Sequence, residues 1–220
     1  MSSIGLLRPR HRRVLALAAG GLVLAAGASV TTLAAWQDNE YVWGGTGDTN
    51  SGGFTSTAFN VQQNTGPVDG AGFADRESAP GGQLDFTASA GSLTPGDTVY
   101  AFVQLRTATG SSGGTLALSG ATATPANALA SALEYGARSS ADRAGCDAAG
   151  YATNGSVLVP EGTPLATGSG STTFALAPAT ASAPGPAVGV CFAVTLPDGT
   201  DRSASGQTVR PTWHFDATSG

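Results

Sequence analysis

The sequence predicts an all-β fold: an antiparallel, jelly-roll-like β-sandwich with one short helix, preceded by an N-terminal signal helix. Three observations carry this prediction. Charged residues make up only 11% of the chain while glycine supplies 32 of its 220 residues, which disfavours long solvent-facing helices. Apolar and polar residues alternate with period two over several stretches, as in half-buried strands. Turn-forming pairs such as Pro-Gly, Asp-Gly and Gly-Gly separate those stretches.

In chain order, residues 1–35 read as a leader, 36–53 as an aromatic arm followed by a glycine-rich linker, and 54–220 as the sandwich domain. Phe54–Gln62 is expected as a strand, and Asn64–Gly82 as a loop punctuated by Gly66-Pro67, Asp69-Gly70 and Pro80-Gly81-Gly82. Gln83–Ala90 alternates cleanly, with Leu84, Phe86, Ala88 and Ala90 on one side. Leu93-Thr94-Pro95-Gly96-Asp97 makes a tight turn, because proline presets φ and glycine accepts a positive one. Thr98–Thr107 follows as a strand with Val99, Ala101, Val103 and Leu105 inward, and Thr115–Ser119 as a shorter one.

Thr124-Pro125 offers an N-cap and a first-turn proline, so the helix is expected over Pro125–Leu133. Glu134–Arg138 returns to extended chain, and Ser139–Asn154 is a polar loop carrying Cys146. Ser156–Val159, Thr172–Ala177 and the strongly apolar Ala187–Leu196 complete the middle of the sheets. In the last of these, Val188, Val190, Phe192 and Val194 share one face and Cys191 the other. Gln207–Ala217 is expected as a single closing strand.

The leader begins with the basic stretch Met1–Arg13 and continues with an uncharged apolar run over Val14–Ala35. That run is longer than the usual signal core and long enough to span a bilayer, but Gly20, Gly21, Gly27 and Ser29 weaken it as a spanning helix. A cleaved export signal is the expectation, with a retained membrane anchor as the alternative. Arg12-Arg13-Val14-Leu15 also loosely satisfies a twin-arginine pattern.

The chain contains no lysine, and four of its ten arginines lie in the leader. Beyond Ala35, six arginines face all fifteen acids, a balance of −9. A surface so acidic repels phosphate backbones, which argues against a nucleic-acid partner. Cys146 and Cys191 are the only cysteines, and an even pair in an exported chain points to one disulfide. The loop it closes is worth roughly 4 kcal/mol on the chain-entropy model.

The stretch Gly27-Ala28-Ser29-Val30-Thr31-Thr32-Leu33-Ala34-Ala35-Trp36-Gln37-Asp38-Asn39-Glu40 resembles the leaders of Gram-positive proteins processed by a SipW-type signal peptidase. TasA-type biofilm-matrix proteins and camelysin belong to that group. The strand–Leu-x-Pro-Gly-Asp–strand unit and the closing Trp213-x-Phe215-x-Ala217-Thr218 resemble the same family. The resemblance implies cleavage between Ala35 and Trp36; a cut after Ala34, with Thr32 at the third position before it, is the plain-signal alternative. It implies secretion to the outside or the cell surface, with the SipW-type peptidase as a partner during export. It also implies self-association or association with matrix proteins, and fibre assembly by donation of an N-terminal strand. Trp36, Tyr41 and Trp43 are the residues of such an assembly arm, or else a strand tucked onto their own sandwich. Contact with membrane is expected only through an uncleaved leader.

Catalytic chemistry is hard to assemble from this sequence. Camelysin is described as a metallopeptidase, yet His214 is the only histidine after Ala35 and no His-Glu-x-x-His occurs. No Gly-x-Ser-x-Gly elbow is present, and the absence of lysine removes Ser-Lys and Schiff-base chemistry. Asp48-Thr49-Asn50 opens like a calcium loop but lacks the later ligands, so it reads as a turn. The expectation is therefore a structural or matrix protein with no catalytic residue, metal or cofactor. A surface-displayed binding module that uses the Ser139–Asn154 loop is the alternative, and a camelysin-like peptidase the third.

Overall fold

The strand most strongly marked in the sequence is the centre of the architecture. In the computed structural model, which describes Ser56 and Ala58–Gly220, β3 runs over Thr98–Thr107 with Val99, Ala101, Val103 and Leu105 buried. Before it come β1 (Val61–Asn64) and β2 (Ala74–Asp75). After it come β4 (Gly114–Leu118), β5 (Thr122–Thr124), helix α1 (Ala128–Ala132) and β6 (Glu134–Ser139). The chain then forms β7 (Ser156–Pro164), β8 (Thr173–Leu176), β9 (Val188–Thr195), β10 (Arg210–Thr212) and β11 (Phe215–Ser219).

All named strand pairs are antiparallel, and they build a six-stranded sheet in the order β2-β1-β3-β9-β6-β7. A three-stranded sheet β11-β4-β8 and a pair β10-β5 make up the second layer. Neighbours distant in sequence, such as β3 beside β9, give the crossover connectivity of jelly-roll-like sandwiches. The all-β sandwich expected from the sequence is the fold.

The core lies between the layers. Val103, Tyr135, Ala137, Val190 and Phe192 of the large sheet meet Leu116, Leu118, Phe174 and Leu176 of the small one. A second, smaller cluster lies on the opposite face of the large sheet, where Phe102, Cys191 and Ala193 are covered by Ala141 and Tyr151. The central strands are therefore buried on both faces, which explains why β9 reads as a nearly continuous apolar run. Gly96 sits at φ 94° in the turn before β3, and its N–H donates to Leu196 O at 2.8 Å, so a side chain there would be strained.

Several elements depart from expectation for identifiable reasons. Of the strand expected over Phe54–Gln62, residues 54, 55 and 57 lie outside the described residues, Ala58 makes only a parallel bridge to Ser111, and Val61-Gln62 open β1. Ladder pairing starts at Val61, after Ser111 Oγ has taken the Asn60 N–H. Gln83–Ala90 keeps its alternation as burial, with Leu84 and Phe86 against the core, but has no ladder. Only Thr87 bonds to the main chain of Tyr100, and the segment closes in a 3-10 turn over Ala88–Gly91.

The helix starts late because Asn127 caps it, its side chain accepting from Ala130 N at 2.9 Å, while Thr124 is engaged in the β5–β10 ladder. The single closing strand expected over Gln207–Ala217 is two strands in different sheets. Its partners β4 and β5 are parted by Ser119-Gly120-Ala121, where the Leu165–Ser169 segment bonds to Leu118 and Ala121. The chain opposite must part as well, and Trp213 fills the break. β7 extends five residues past the expected Val159, tolerating Pro160 because its outer side has no neighbour among the described residues.

Candidate functional site

The cysteines behave as the sequence predicts: Cys146 and Cys191 form a disulfide with Cα atoms 5.6 Å apart. It fastens the Ser139–Asn154 loop onto the outer face of β9. Asn154 braces the same loop, its Nδ2 donating to Asp142 O and its Oδ1 accepting from Asp142 N, both at 2.7 Å. Arg138 donates to the carbonyls of Asn154 and Gly155 at 3.0 Å. Arg143 stacks on Phe102 at 4.5 Å and pairs with Asp69 at 2.6 Å. The loop offered as a ligand reader is thus pinned down, with its aromatic Tyr151 turned into the second cluster.

Tyr151 packs against β6 because residue 136 is glycine: a Cβ there would lie 2.7 Å from the phenol oxygen. Burial raises the pKa of Tyr151, and a nearby Glu161 carboxylate raises it further. In the main core, burial pushes Tyr135 up to about 12, although Trp213 acts in the opposite direction. Tyr135 Oη donates to Thr167 O at 2.6 Å. A phenol whose folded pKa lies above its ordinary value of 10.0 contributes stability that is complete below pH 10 and lost as pH rises through the folded pKa. The expected result is alkaline unfolding between about pH 10 and 12, in which phenolate absorbance and loss of the β circular-dichroism signal rise together. All tyrosines titrating near 10 with the fold intact would contradict it.

Two concave features lie on the described surface. A depression of about 200 Å³ lies in the β1–β2 connection, lined by residues including Asn64, Pro67 and Arg76. It is smaller than the roughly 300–1,000 Å³ usual for ligand sites. A wider trough of about 630 Å³ is bordered only by Pro80, Gly81, Gln83 and Arg210. Asn64, buried beneath the first depression, spends its side chain on Val68 O, Gln104 Oε1 and Gly66 N, so it organises the loop rather than facing a ligand.

His214 is exposed, and its Nε2 lies 3.3 Å from Asp216 Oδ1. The other carboxylate oxygen accepts from Ser119 Oγ. The acid stands between the hydroxyl and the imidazole, so the arrangement has no base bonded to a nucleophile. Sequence reasoning considered His214 alone and passed over Asp216 and Ser119. The His-x-Asp spacing on an alternating strand was the available signal for the first; only the β4–β11 register reveals the second.

The sheet edges are the remaining surfaces with unspent bonding capacity. β2 is two residues long, β7 carries Pro160 and Pro164, and the carbonyl following β8, Ala177 O, is taken by Thr107 Oγ1. β11 differs. Among the described residues it pairs with β4 alone; it has no proline, carries Asp216 as its single charge, and exposes every residue after Phe215. The described chain enters beside it: Ser112 N donates to Ala58 O at 2.9 Å, and Phe59 lies against Gly114, the register partner of Ser219. The sequence-derived cleavage pair Ala35–Trp36 and the arm residues Trp36, Tyr41 and Trp43 lie outside the described residues. No known protein family and no curated protein matches the chain.

Proposed function

We propose that this is a secreted or cell-surface structural protein of the TasA/camelysin type, exported through its leader, cut by a SipW-type peptidase and self-associating in an extracellular matrix. Its assembly handle is the aromatic arm Trp36–Trp43, and β11 is the edge that receives it. The observation that carries this reading is the β11 edge, which among the described residues pairs only with β4 and lies close to the Ala58–Ser111 bridge. An edge strand exposes a row of main-chain donors and acceptors that an extended segment can satisfy, while alternate side chains add packing. From Trp43 to Ala58 the chain has fifteen residues, a reach of up to about 50 Å when extended, enough to serve a neighbouring copy. The pinned Ser139–Asn154 loop favours this reading over a ligand-binding module that reads its ligand with that loop.

Deleting residues 36–53 from the mature protein is the test. The shortened protein is expected to keep its β circular-dichroism spectrum and to lose the assemblies seen by electron microscopy at rising concentration. Equal assembly by the shortened protein rules out the arm, and a mature protein that stays monomeric at every concentration rules out self-association.

A further inference from the structure

We infer that Asn154 is a modification site: its side-chain amide is open to spontaneous deamidation through the Asn154–Gly155 peptide, and the closed Cys146–Cys191 disulfide holds that reaction off. Asn154-Gly155 is the single Asn-Gly pair of the chain. Glycine has no side chain to shield its amide nitrogen, so an asparagine before it is in its most reactive setting. The fold nevertheless demands both residues. Gly155 has φ 78°, and a Cβ there would run into Ser139 O. Asn154 both accepts from Asp142 N and donates to Asp142 O, at 2.7 Å each, whereas a carboxylate could only accept.

In the reaction the Gly155 nitrogen attacks Asn154 Cγ and a cyclic imide forms. Nδ2 departs as ammonia, carrying the proton of the attacking nitrogen. Water then adds to one of the two imide carbonyls and opens the ring to aspartate or isoaspartate. The first step needs the reacting atoms aligned and about 3–3.5 Å apart. The folded loop opposes that approach. Asn154 has ψ 99°, which turns the Gly155 nitrogen away from the side chain. Arg138 locks the peptide by donating to Asn154 O and Gly155 O at 3.0 Å. The amide itself rests on Gly145, where a Cβ would lie 3.0 Å from Nδ2.

Gly145 directly precedes Cys146, so the disulfide anchors the surface on which the amide lies. Opening the bridge removes that anchor and raises the fraction of time in which the Asn154 peptide is free to turn. Deamidation then makes the release permanent. Aspartate offers Asp142 O no donor, isoaspartate also reroutes the main chain through the side chain, and closing the disulfide again reverses neither. The inference is independent of the arm and holds whether or not the protein assembles.

The test is incubation of the full chain in mildly alkaline buffer, with Asn154 followed by peptide mass spectrometry and isoaspartate detection. The oxidised, folded wild type is expected to lose its amide at least about tenfold more slowly than the same chain unfolded in urea. The Cys146→Ala, Cys191→Ala double variant is expected to keep its β circular-dichroism spectrum and to lose the amide at least about tenfold faster than the oxidised wild type. Arg138→Gln, with the disulfide closed, is expected to give a severalfold acceleration. Asn154→Asp, which reproduces one product, is expected to speed hydrogen exchange over Asp142–Gly155 and to leave β3 unchanged. Equal rates in folded and unfolded wild type, a wild-type rate in the double variant or in Arg138→Gln, or a double variant without its β spectrum each overturns the disulfide as a local gate. Unaltered exchange in Asn154→Asp overturns the permanent release.

Discussion

Trp213→Ala is expected to destabilise the domain by about 3 kcal/mol, the low end of the range for truncating a large aromatic, because the indole is partly buried against the core. The indole stands where the last part of the chain changes sheets. Its ring centre lies 5.1 Å from Phe192, 5.5 Å from Tyr135 and 6.4 Å from Phe86. Phe192 and Tyr135 are 0% and 1% exposed, so truncation would open the two most deeply buried aromatics to water. It would also remove the plug between β10 and β11, leaving two short strands joined by a flexible link. Urea unfolding measures the effect, and the slope of the transition shows whether the domain still unfolds as one unit. A loss below about 1 kcal/mol would mean that the break between β10 and β11 is closed by other residues.

Removing the disulfide is the second large effect. The joined cysteines are 45 residues apart, and opening that loop is expected to cost about 2–5 kcal/mol. For a domain of this size a 4 kcal/mol loss lowers Tm by roughly 8–16 °C. The Cys146→Ala, Cys191→Ala double variant is the right comparison, because Cys191 is wholly buried and a lone thiol or serine there adds its own effect. The damage should be local as well as global. The Ser139–Asn154 loop would keep its hydrogen bonds through Asn154 and Arg138 but lose its attachment to β9. Hydrogen exchange in that loop is expected to accelerate before exchange in β3 does. Unchanged Tm in the reduced protein would show that Tyr151 and Arg138 hold the loop without help.

What could be read from the sequence and what could not divide along a physical line. β3 and β9 were legible because each has two ladder partners, and their apolar residues report burial directly. The cysteine pairing was legible because the chain has only two. Gln83–Ala90 shows the limit of periodicity. Alternating burial needs a core on one side, whereas a strand needs a partner alongside, and only the first is present there. The division at Trp213 was hidden for the same reason, since β10 and β11 alternate in step while answering to different partners. The start of α1 was misplaced because Thr124 and Asn127 both have capping side chains, and the β5–β10 ladder decides between them. Of the side chains gathered at the β11 edge, His214 was visible, whereas Ser119 lies ninety-five residues earlier and joins it only through the sheet.

The segment Ser111–Gly114, which leads into β4, also determines how the sandwich is suspended. Ala58 is bridged to Ser111, and Gly220 N donates to Gly113 O at 3.0 Å, so residues 58 and 220 share one corner of the domain. Any segment continuing from either position sets out from that corner. Tension applied along the chain would therefore load the few bonds at this segment before reaching the aromatic core. Mechanically, the body hangs like a pendant from its strand rather than acting as a link within it.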